Sequence, residues 1–293
     1  MNTERVERPE TVKRVKLALL SDIHGNYVAL EECLKYIDEN NFDGVAFLGD
    51  FITDCPYPRR TIQLVQQTMD RYSTWCVRGN RDTSMIKHKY HPDEWGYNSQ
   101  SGNLLSTYTE LQPDDLSFFE NMPITDIVQL PECKPFVICH GSPDNIREKL
   151  LPNEENSREW LRKIETDYLF CGHTHRPFVY EYGGKKLVNC GSVGIPVNGQ
   201  TNTQFTQIEF VDGEWEINLI SLPYDIEKLL EDFKTSGIYE KYHWWAKAVA
   251  KCLQTGIDYP LNILNRVTEI ADSYNEPLNE QHWQQAAEEL GIK

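Results

Sequence analysis

The sequence contains no run of about 18 consecutive apolar residues, the length that a membrane-spanning helix requires. Its first residues, MNTERVERPETVKRVK, are charged and lack the apolar segment of a secretory signal. Basic residues are also few, since 29 Lys and Arg face 45 Asp and Glu and the net charge is −16. Nucleic acids and anionic lipids bind clustered basic side chains. We therefore expect a cytoplasmic protein with no membrane partner and no nucleic-acid partner.

The eight cysteines form no C-x-x-C pair. Cys76, Cys139, Cys171 and Cys190 lie within or at the ends of apolar, strand-like runs. This placement favours buried, reduced thiols over a disulfide framework or a cysteine-bound zinc site.

Over the first 80 residues, short apolar runs alternate with segments in which apolar residues recur at helical spacing. Runs at 15–22, 43–50 and 73–80 are separated by amphipathic segments at 26–40 and 59–72. This alternation predicts parallel strands joined by crossover helices, and hence an α/β fold.

The rest of the chain divides into three parts. Residues 84–122 predict an insertion or cap with two helices, at 100–111 and 114–121. Strands then resume at 126–130, 135–143 and 167–175 with a helix at 154–165, followed by a hairpin turning at Gly183-Gly184 and two more strands. After Pro223 the apolar spacing is helical, including segments at 240–254, 260–273 and 279–290. We expect an N-terminal tail at 1–15, a catalytic domain at 16–222 and a helical C-terminal extension at 223–293.

Polar side chains follow five of the predicted strands at the point where each strand ends. They are Asp22 and His24, Asp50, Asn80, His140, and His173 and His175. Each residue alone fits a turn or a helix cap, but the carboxyl ends of strands in open α/β sheets meet at one ligand-binding edge. Since Asp22 and His24 are two residues apart, an extended strand would turn both to one side. Together these residues predict a metal site.

The chemical types of these side chains limit which metal ions the site can prefer. Carboxylate, imidazole and amide oxygen ligands suit Zn, Fe or Mn better than the oxygen-only ligands expected around Mg or Ca. A carboxylate shared between two ions is typical of two-metal phosphatases and nucleases.

These residues resemble the calcineurin-like metallophosphoesterase superfamily, whose ordered blocks are D-x-H, G-D, G-N-[HCWR]-[DE], H-G and G-H-x-H. All five blocks stand between Asp22 and His175, and the resemblance extends to about residue 220. The segment NCGSVGIPVNG at 189–199 resembles the YfcE-like branch, with Cys190 where proline is usual. Relatives with a C-terminal helical segment include asymmetric diadenosine tetraphosphate hydrolases. The resemblance implies a four-layered α/β/β/α sandwich.

The resemblance also implies two metal ions, divalent or trivalent, drawn from Mn, Fe, Zn or Ni. One ion would take Asp22, His24, Asp50 and His175, and the other would take Asp50, Asn80, His140 and His173. Asp50 would bridge them, and a metal-bound hydroxide would attack a phosphodiester or phosphoanhydride. The substrate would be a small phosphoester or a nucleotide.

Arg81 stands where many members of the family have a histidine that protonates the leaving oxygen or orients the substrate. Arginine stays protonated and cannot donate a catalytic proton at neutral pH, but it can bind phosphate oxygens. We therefore expect good leaving groups, including those of dinucleoside polyphosphates. The alternative is that Arg81 points to solvent or pairs with Asp82.

Other residues have expected roles near the site. Asn26 and Ser192 are expected to contact the substrate, and Asp82 to support the metal ligands or cap the helix that follows it. His88 or His91 could replace the missing acid, although a surface position is the simpler reading. Tyr90, Trp95 and Tyr97 could stack on a base or pack in the interior, and Arg59 and Arg60 could meet a distal phosphate or lie at the surface.

Two other functions remain open. Some proteins with this fold are scaffolds with little catalysis, but such members tend to lose ligands, and the ligand set is complete here. A nuclease would need a long basic groove, which the acidic composition does not favour. The C-terminal helices would shape substrate access or form a homodimer contact.

Overall fold

The structure is a computed structural model that describes residues 14–293. The predicted N-terminal tail therefore lies almost wholly outside the described residues, and its last residue, Val15, already begins the first strand. No helix within 14–293 is both long enough and apolar enough to cross a membrane.

The first sheet contains the three predicted parallel strands and two later strands, of which β9 pairs antiparallel with both β1 and β10. Its strand order is β10-β9-β1-β2-β3. The strands are β1 (Val15–Leu20), β2 (Gly44–Leu48), β3 (Ser73–Val77), β9 (Thr203–Val211) and β10 (Glu214–Leu222). The crossovers are α1 (Tyr27–Glu39) and α2 (Pro58–Met69), as the apolar spacing predicts.

The second sheet has the order β4-β5-β6-β8-β7. Its strands are β4 (Thr125–Val128), β5 (Phe136–Cys139), β6 (Tyr168–Cys171), β7 (Phe178–Tyr182) and β8 (Lys185–Asn189). The predicted hairpin at Gly183-Gly184 is confirmed, since β7 and β8 pair antiparallel around it. Both glycines have positive φ, which the tight turn requires.

The two sheets face each other across an apolar core. Leu19 and Leu48 of the first sheet share this core with Phe136 and Phe170 of the second. Helices α1 and α2 cover the outer face of the first sheet. Helix α6 (Glu155–Lys163) covers the second, where Leu161 packs on Leu169. The predicted α/β/β/α layering is confirmed.

The segment after β3 is helical from its first residues. Helix α3 (Asn80–Tyr90) begins at the predicted metal ligand itself, and α4 (Gly102–Glu110) and α5 (Pro113–Glu120) match the two helices predicted there.

The C-terminal part is entirely helical. Its helices are α7 (Ile226–Thr235), α8 (Ile238–Lys241), α9 (His243–Thr255), α10 (Tyr259–Tyr274) and α11 (Glu280–Glu289). The helix predicted at 240–254 is confirmed as α9, but it begins at His243, because Tyr242 at φ −152° separates it from the short helix α8. These helices share a core with Tyr27, Val28 and Ile195 of the preceding part.

Candidate metal centre

The predicted ligands follow the carboxyl ends of β1, β2, β3, β5 and β6. The expectation that Asp22 and His24 face one side of an extended strand is wrong, because β1 ends at Leu20. Both residues have a left-handed backbone conformation, with φ of 54° and 50°. The same holds for Asp50, His173 and His175. Sparsely populated backbone conformations of this kind concentrate at functional sites.

Glycine next to these ligands lets neighbouring loops approach closely. A Cβ atom at Gly79 would overlap Asp50 Oδ1, and one at Gly172 would overlap Ser21 Oγ and lie 2.5 Å from Asp22 Oδ2. The glycines of the G-N and G-H blocks are therefore needed for packing at the site.

One group of ligands surrounds Asp22 Oδ1. The Nε2 atom of His175 lies 3.2 Å from this oxygen and that of His24 lies 3.8 Å from it. The two Nε2 atoms are 3.1 Å apart. Atoms so close can bind one ion together.

A second group surrounds His140. Its Nε2 atom lies 3.5 Å from Asp50 Oδ2, 3.2 Å from Asn80 Oδ1 and 3.9 Å from Asp22 Oδ1. Asp50 Oδ2 is also 3.6 Å from His24 Nε2, so this carboxylate lies between the two groups. Asp22, Asp50 and His140 together form a second set that could hold an ion.

His173 lies beside the second group, with its Nε2 atom turned toward a backbone carbonyl. Its ring centroid is 5.2 Å from that of His140, and its Nε2 atom lies 3.1 Å from the backbone oxygen of Arg147. This bond places the ring proton on Nε2, so Nδ1 is the nitrogen of His173 that could bind an ion with His140 and Asn80.

The donor set fits metal ions. Asp22 Oδ2 accepts hydrogen bonds from Ser21 Oγ at 2.8 Å and from the His173 amide at 2.9 Å. Asp22 Oδ1 is buried and, among the described residues, has no hydrogen-bond partner. A buried carboxylate oxygen without a partner is costly, and a cation would satisfy it.

Outward hydrogen bonds orient the histidines. Nδ1 of His140 lies 2.8 Å from the carbonyl oxygen of Leu48, and Nδ1 of His175 lies 2.6 Å from that of Ile195. Each Nδ1 therefore carries the proton and leaves Nε2 free for an ion.

Asp54, which the motif reading missed, performs this role for His24. Its Oδ2 lies 2.8 Å from His24 Nδ1, while its Oδ1 accepts hydrogen bonds from Asn103 Nδ2 at 2.8 Å and Trp245 Nε1 at 2.7 Å. Only its position four residues after Asp50, in the loop that follows β2, could have suggested it. Asp54 thus ties a candidate ligand to helices α4 and α9.

The Asp82 carboxylate holds two ligand loops together. It accepts hydrogen bonds from the amides of Asp50 at 2.9 Å, Phe51 at 3.1 Å and Gly79 at 2.8 Å. Burial and the neighbouring Asp50 raise its pKa to about 7. Both expected roles, supporting a ligand and capping α3, match this geometry.

The buried histidines favour the protonated form in the metal-free protein. Burial lowers the pKa of His24, but the Asp22 and Asp54 carboxylates outweigh it and raise the pKa to about 10. Burial likewise lowers the pKa of His140, while Asp50 and Asp22 raise it to about 9. In the metal-free protein, His24 and His140 therefore carry protons that a bound metal ion would displace.

Arg81 lines the pocket over the site with its side chain 27% exposed, and its ion-pair partner is Asp54 and not Asp82. Its guanidinium lies 3.8 Å from Asp54 Oδ2 and 6.0 Å from the centroid of the Trp245 ring. Its backbone amide donates to Asp50 Oδ1 at 2.7 Å.

The expectation that Asn26 and Ser192 contact the substrate finds no support, since both are fully buried. The Asn26 side chain caps α1 and donates to the carbonyl of Gly194 at 2.9 Å. Ser192 donates to the backbone oxygen of Asp22 at 2.8 Å. Both side chains therefore fix the backbone of the loops around Asp22 and Gly194 and do not line the pocket.

The other basic and aromatic candidates lie away from the site. His88 stacks on Trp95 at 3.9 Å between ring centroids, and His91 is exposed just after α3. Arg59 pairs with Asp115 and Arg60 with Glu31. Tyr90 and Tyr97 are exposed.

A pocket of about 320 Å³ opens over the centre. Its floor contains His24, Asp50, Asn80, His173 and His175. Its opposite wall comes from the C-terminal helices, a contribution that the motifs could not reveal because those helices follow the last block.

The chain belongs to the calcineurin-like phosphoesterase superfamily, whose domain model matches residues 15–212. The uncharacterized protein MJ0912 of Methanocaldococcus jannaschii is 25% identical over 236 residues, covering 73% of this chain and 90% of that protein. The structure of hypothetical protein PH1004 from Pyrococcus horikoshii aligns with TM-score 0.70 and 21% identity, covering 83% and 98% of the two chains. A metallophosphoesterase structure from Sphaerobacter thermophilus aligns with TM-score 0.64 and 21% identity, covering 84% and 100%. The last two likenesses confirm the predicted fold.

Proposed function

We propose that this protein is a dinuclear metal-dependent hydrolase of phosphodiesters or phosphoanhydrides, including dinucleoside polyphosphates. The position of Asp50 supports this most directly. Its Oδ2 lies 3.6 Å from His24 Nε2 and 3.5 Å from His140 Nε2, as a carboxylate shared by two ions should.

Each ion would have its own ligands. Asp22, His24 and His175 would hold one, and Asn80, His140 and His173 the other, with Asp50 shared. Two such ions, when bound, activate water at neutral pH and neutralise charge on phosphoryl oxygens. Mn, Fe, Zn and Ni are compatible with these ligands.

Arg81 would bind a phosphoryl oxygen in the pocket. A guanidinium beside the reacting group offsets the negative charge that develops there. The histidines lining the pocket, His24, His173 and His175, are all proposed ligands, and His88 is stacked elsewhere. Without a general acid, the leaving group should be one that departs without a proton, such as an aryl oxide or a phosphate.

The pocket also carries charge suited to a phosphorylated small molecule. Lys149 and Arg176 line it, are exposed, and form no side-chain hydrogen bond or ion pair within residues 14–293. Three basic side chains, counting Arg81, meet three acidic ones in the described lining. This balance differs from the long basic groove of a nuclease.

The test compares four substrates on metal-stripped and Mn-reconstituted protein. They are bis-p-nitrophenyl phosphate, p-nitrophenyl phosphate, an alkyl phosphodiester and diadenosine tetraphosphate, with Asp50→Asn as the inactive control. Metal-dependent cleavage of the aryl diester and the polyphosphate would support the proposal. No cleavage of any substrate, with two ions bound, would favour a metal-binding scaffold instead.

A further inference from the structure

The wall of the pocket that faces the metal centre is apolar except for Asp258, the N-cap of α10, whereas most of the floor is polar. It is formed by Ile195, Val197, Trp245, Val249, Pro260, Leu261 and Leu264. Ligand pockets of about 300–1,000 Å³ typically combine such an apolar lining with a few polar groups that fix orientation. A volume of about 320 Å³ suits a small organic molecule.

Two leucines of this wall do not serve the protein core. Leu261 and Leu264 lie three residues apart on α10 and therefore on one side of it. They remain 38% and 37% exposed and belong to none of the core clusters. The core face of α10 is formed by other residues, Ile263, Val267 and Ile270.

We infer that Leu261 and Leu264 form a subsite for an aryl-sized or nucleobase-sized apolar group of the substrate. This inference rests on the proposed function, since a phosphoryl group on the metal floor would direct the organic part of an ester toward α10. When such a group covers exposed apolar side chains and removes them from water, the free energy of the complex falls. The subsite accordingly selects nucleoside and aryl esters over methyl esters of the same phosphate.

Two substrates with one leaving group isolate the subsite. Thymidine 5′-p-nitrophenyl phosphate and methyl p-nitrophenyl phosphate release the same p-nitrophenolate and differ only in the group that stays on phosphorus. We expect the Mn-reconstituted protein to prefer the thymidine ester in kcat/KM, and Leu264→Ser to lower that preference about tenfold. The matched control is Leu219→Ser, which changes a leucine 42% exposed on β10. It should keep the wild-type preference.

Calorimetry separates failure of the subsite from failure of the proposed function. Thymidine 5′-phosphate and methyl phosphate are titrated into the Mn-loaded wild type and the Leu264→Ser variant. A nucleotide preference that falls in the variant supports the subsite even if neither ester is cleaved, in which case only the proposed activity fails. Equal affinities in the wild type, or an unchanged preference in the variant, would overturn the inference.

Discussion

Asp54 Oδ2 lies 2.8 Å from Nδ1 of His24, on the side of the imidazole opposite the candidate metal centre. Thr53, Asn103 and Trp245 donate hydrogen bonds to this carboxylate, and the Arg81 guanidinium lies 3.8 Å from Oδ2. The carboxylate therefore keeps the proton of neutral His24 on Nδ1, and Nε2 remains available for an ion.

Asp54→Asn should weaken metal binding about 10–100-fold. In either orientation of the new amide, its NH2 group faces a side chain that donates a hydrogen bond to Asp54 in the wild type, so two donors oppose each other. If it faces His24, Nδ1 must become the acceptor, and the proton moves to Nε2 and blocks the ligand position. Competition with a metal buffer measures the dissociation constant without relying on turnover.

The control for this variant is Asp70→Asn at the exposed end of α2, which changes the same formal charge far from the site. We expect its metal affinity to equal that of the wild type. If Asp54→Asn also binds metal like the wild type, Asp54 does not orient His24.

Metal uptake should release protons and strengthen as pH rises from 7 toward 9. The pKa of His24 is raised to about 10 and that of His140 to about 9, so both are protonated at pH 7 in the metal-free protein. A ligand must lose its proton before it binds an ion, so rising pH removes the competing proton. Calorimetry in buffers of different ionisation enthalpy counts the protons, and uptake without proton release would contradict this view of the site.

Arg81→His should restore hydrolysis of esters with poor leaving groups. A histidine at this position could donate a proton, and a general acid typically contributes about 10²–10⁴ in rate. We expect kcat/KM for an alkyl diester to rise at least about tenfold relative to an aryl diester. Arg81→Asn is the matched control, because its side chain is close to imidazole in size but is neutral and has no proton to give to a leaving group at neutral pH. An equal gain in the asparagine variant would refute the missing-acid argument.

The C-terminal helices should unfold together with the rest of the chain. Phe233 of α7 is fully buried in a core shared with Tyr27, Val28 and Ile195. Phe233→Ala should destabilise the folded state by about 3–5 kcal/mol. Denaturant unfolding followed by tryptophan fluorescence and by metal release should shift as one transition. Leu219→Ala serves as the exposed control. Two separate transitions, with only one shifted, would show that 223–293 is an independent domain.

Residues with strong local signals were predictable from the sequence. Apolar runs separated by helical spacing predicted β1 to β3 with their crossovers, because α1 and α2 each bury one apolar face while β1 and β2 are short apolar runs buried on both faces. The ligands were predictable because the strand ends bring Asp22, Asp50 and Asn80 to one edge.

The remaining features depend on contacts between distant segments. Trp245 reaches Asp54 across 191 positions of the chain, which no local pattern encodes. Asn26 and Ser192 lie in motif segments, yet their hydrogen bonds hold the loops around Asp22 and Gly194. The break at Tyr242, where φ is −152°, separates α8 from α9, and the apolar spacing around it does not indicate it.

The most direct test of the central claim titrates Mn²⁺ into the metal-stripped protein while bound ions and hydrolysis of bis-p-nitrophenyl phosphate are followed together. Electron paramagnetic resonance counts the free and bound Mn²⁺ at each addition. We predict two bound ions per chain and hydrolysis that develops as the second site fills, with neither the full stoichiometry nor hydrolysis in Asp50→Asn. Two bound ions without hydrolysis, or full hydrolysis with one, would contradict a dinuclear phosphoesterase.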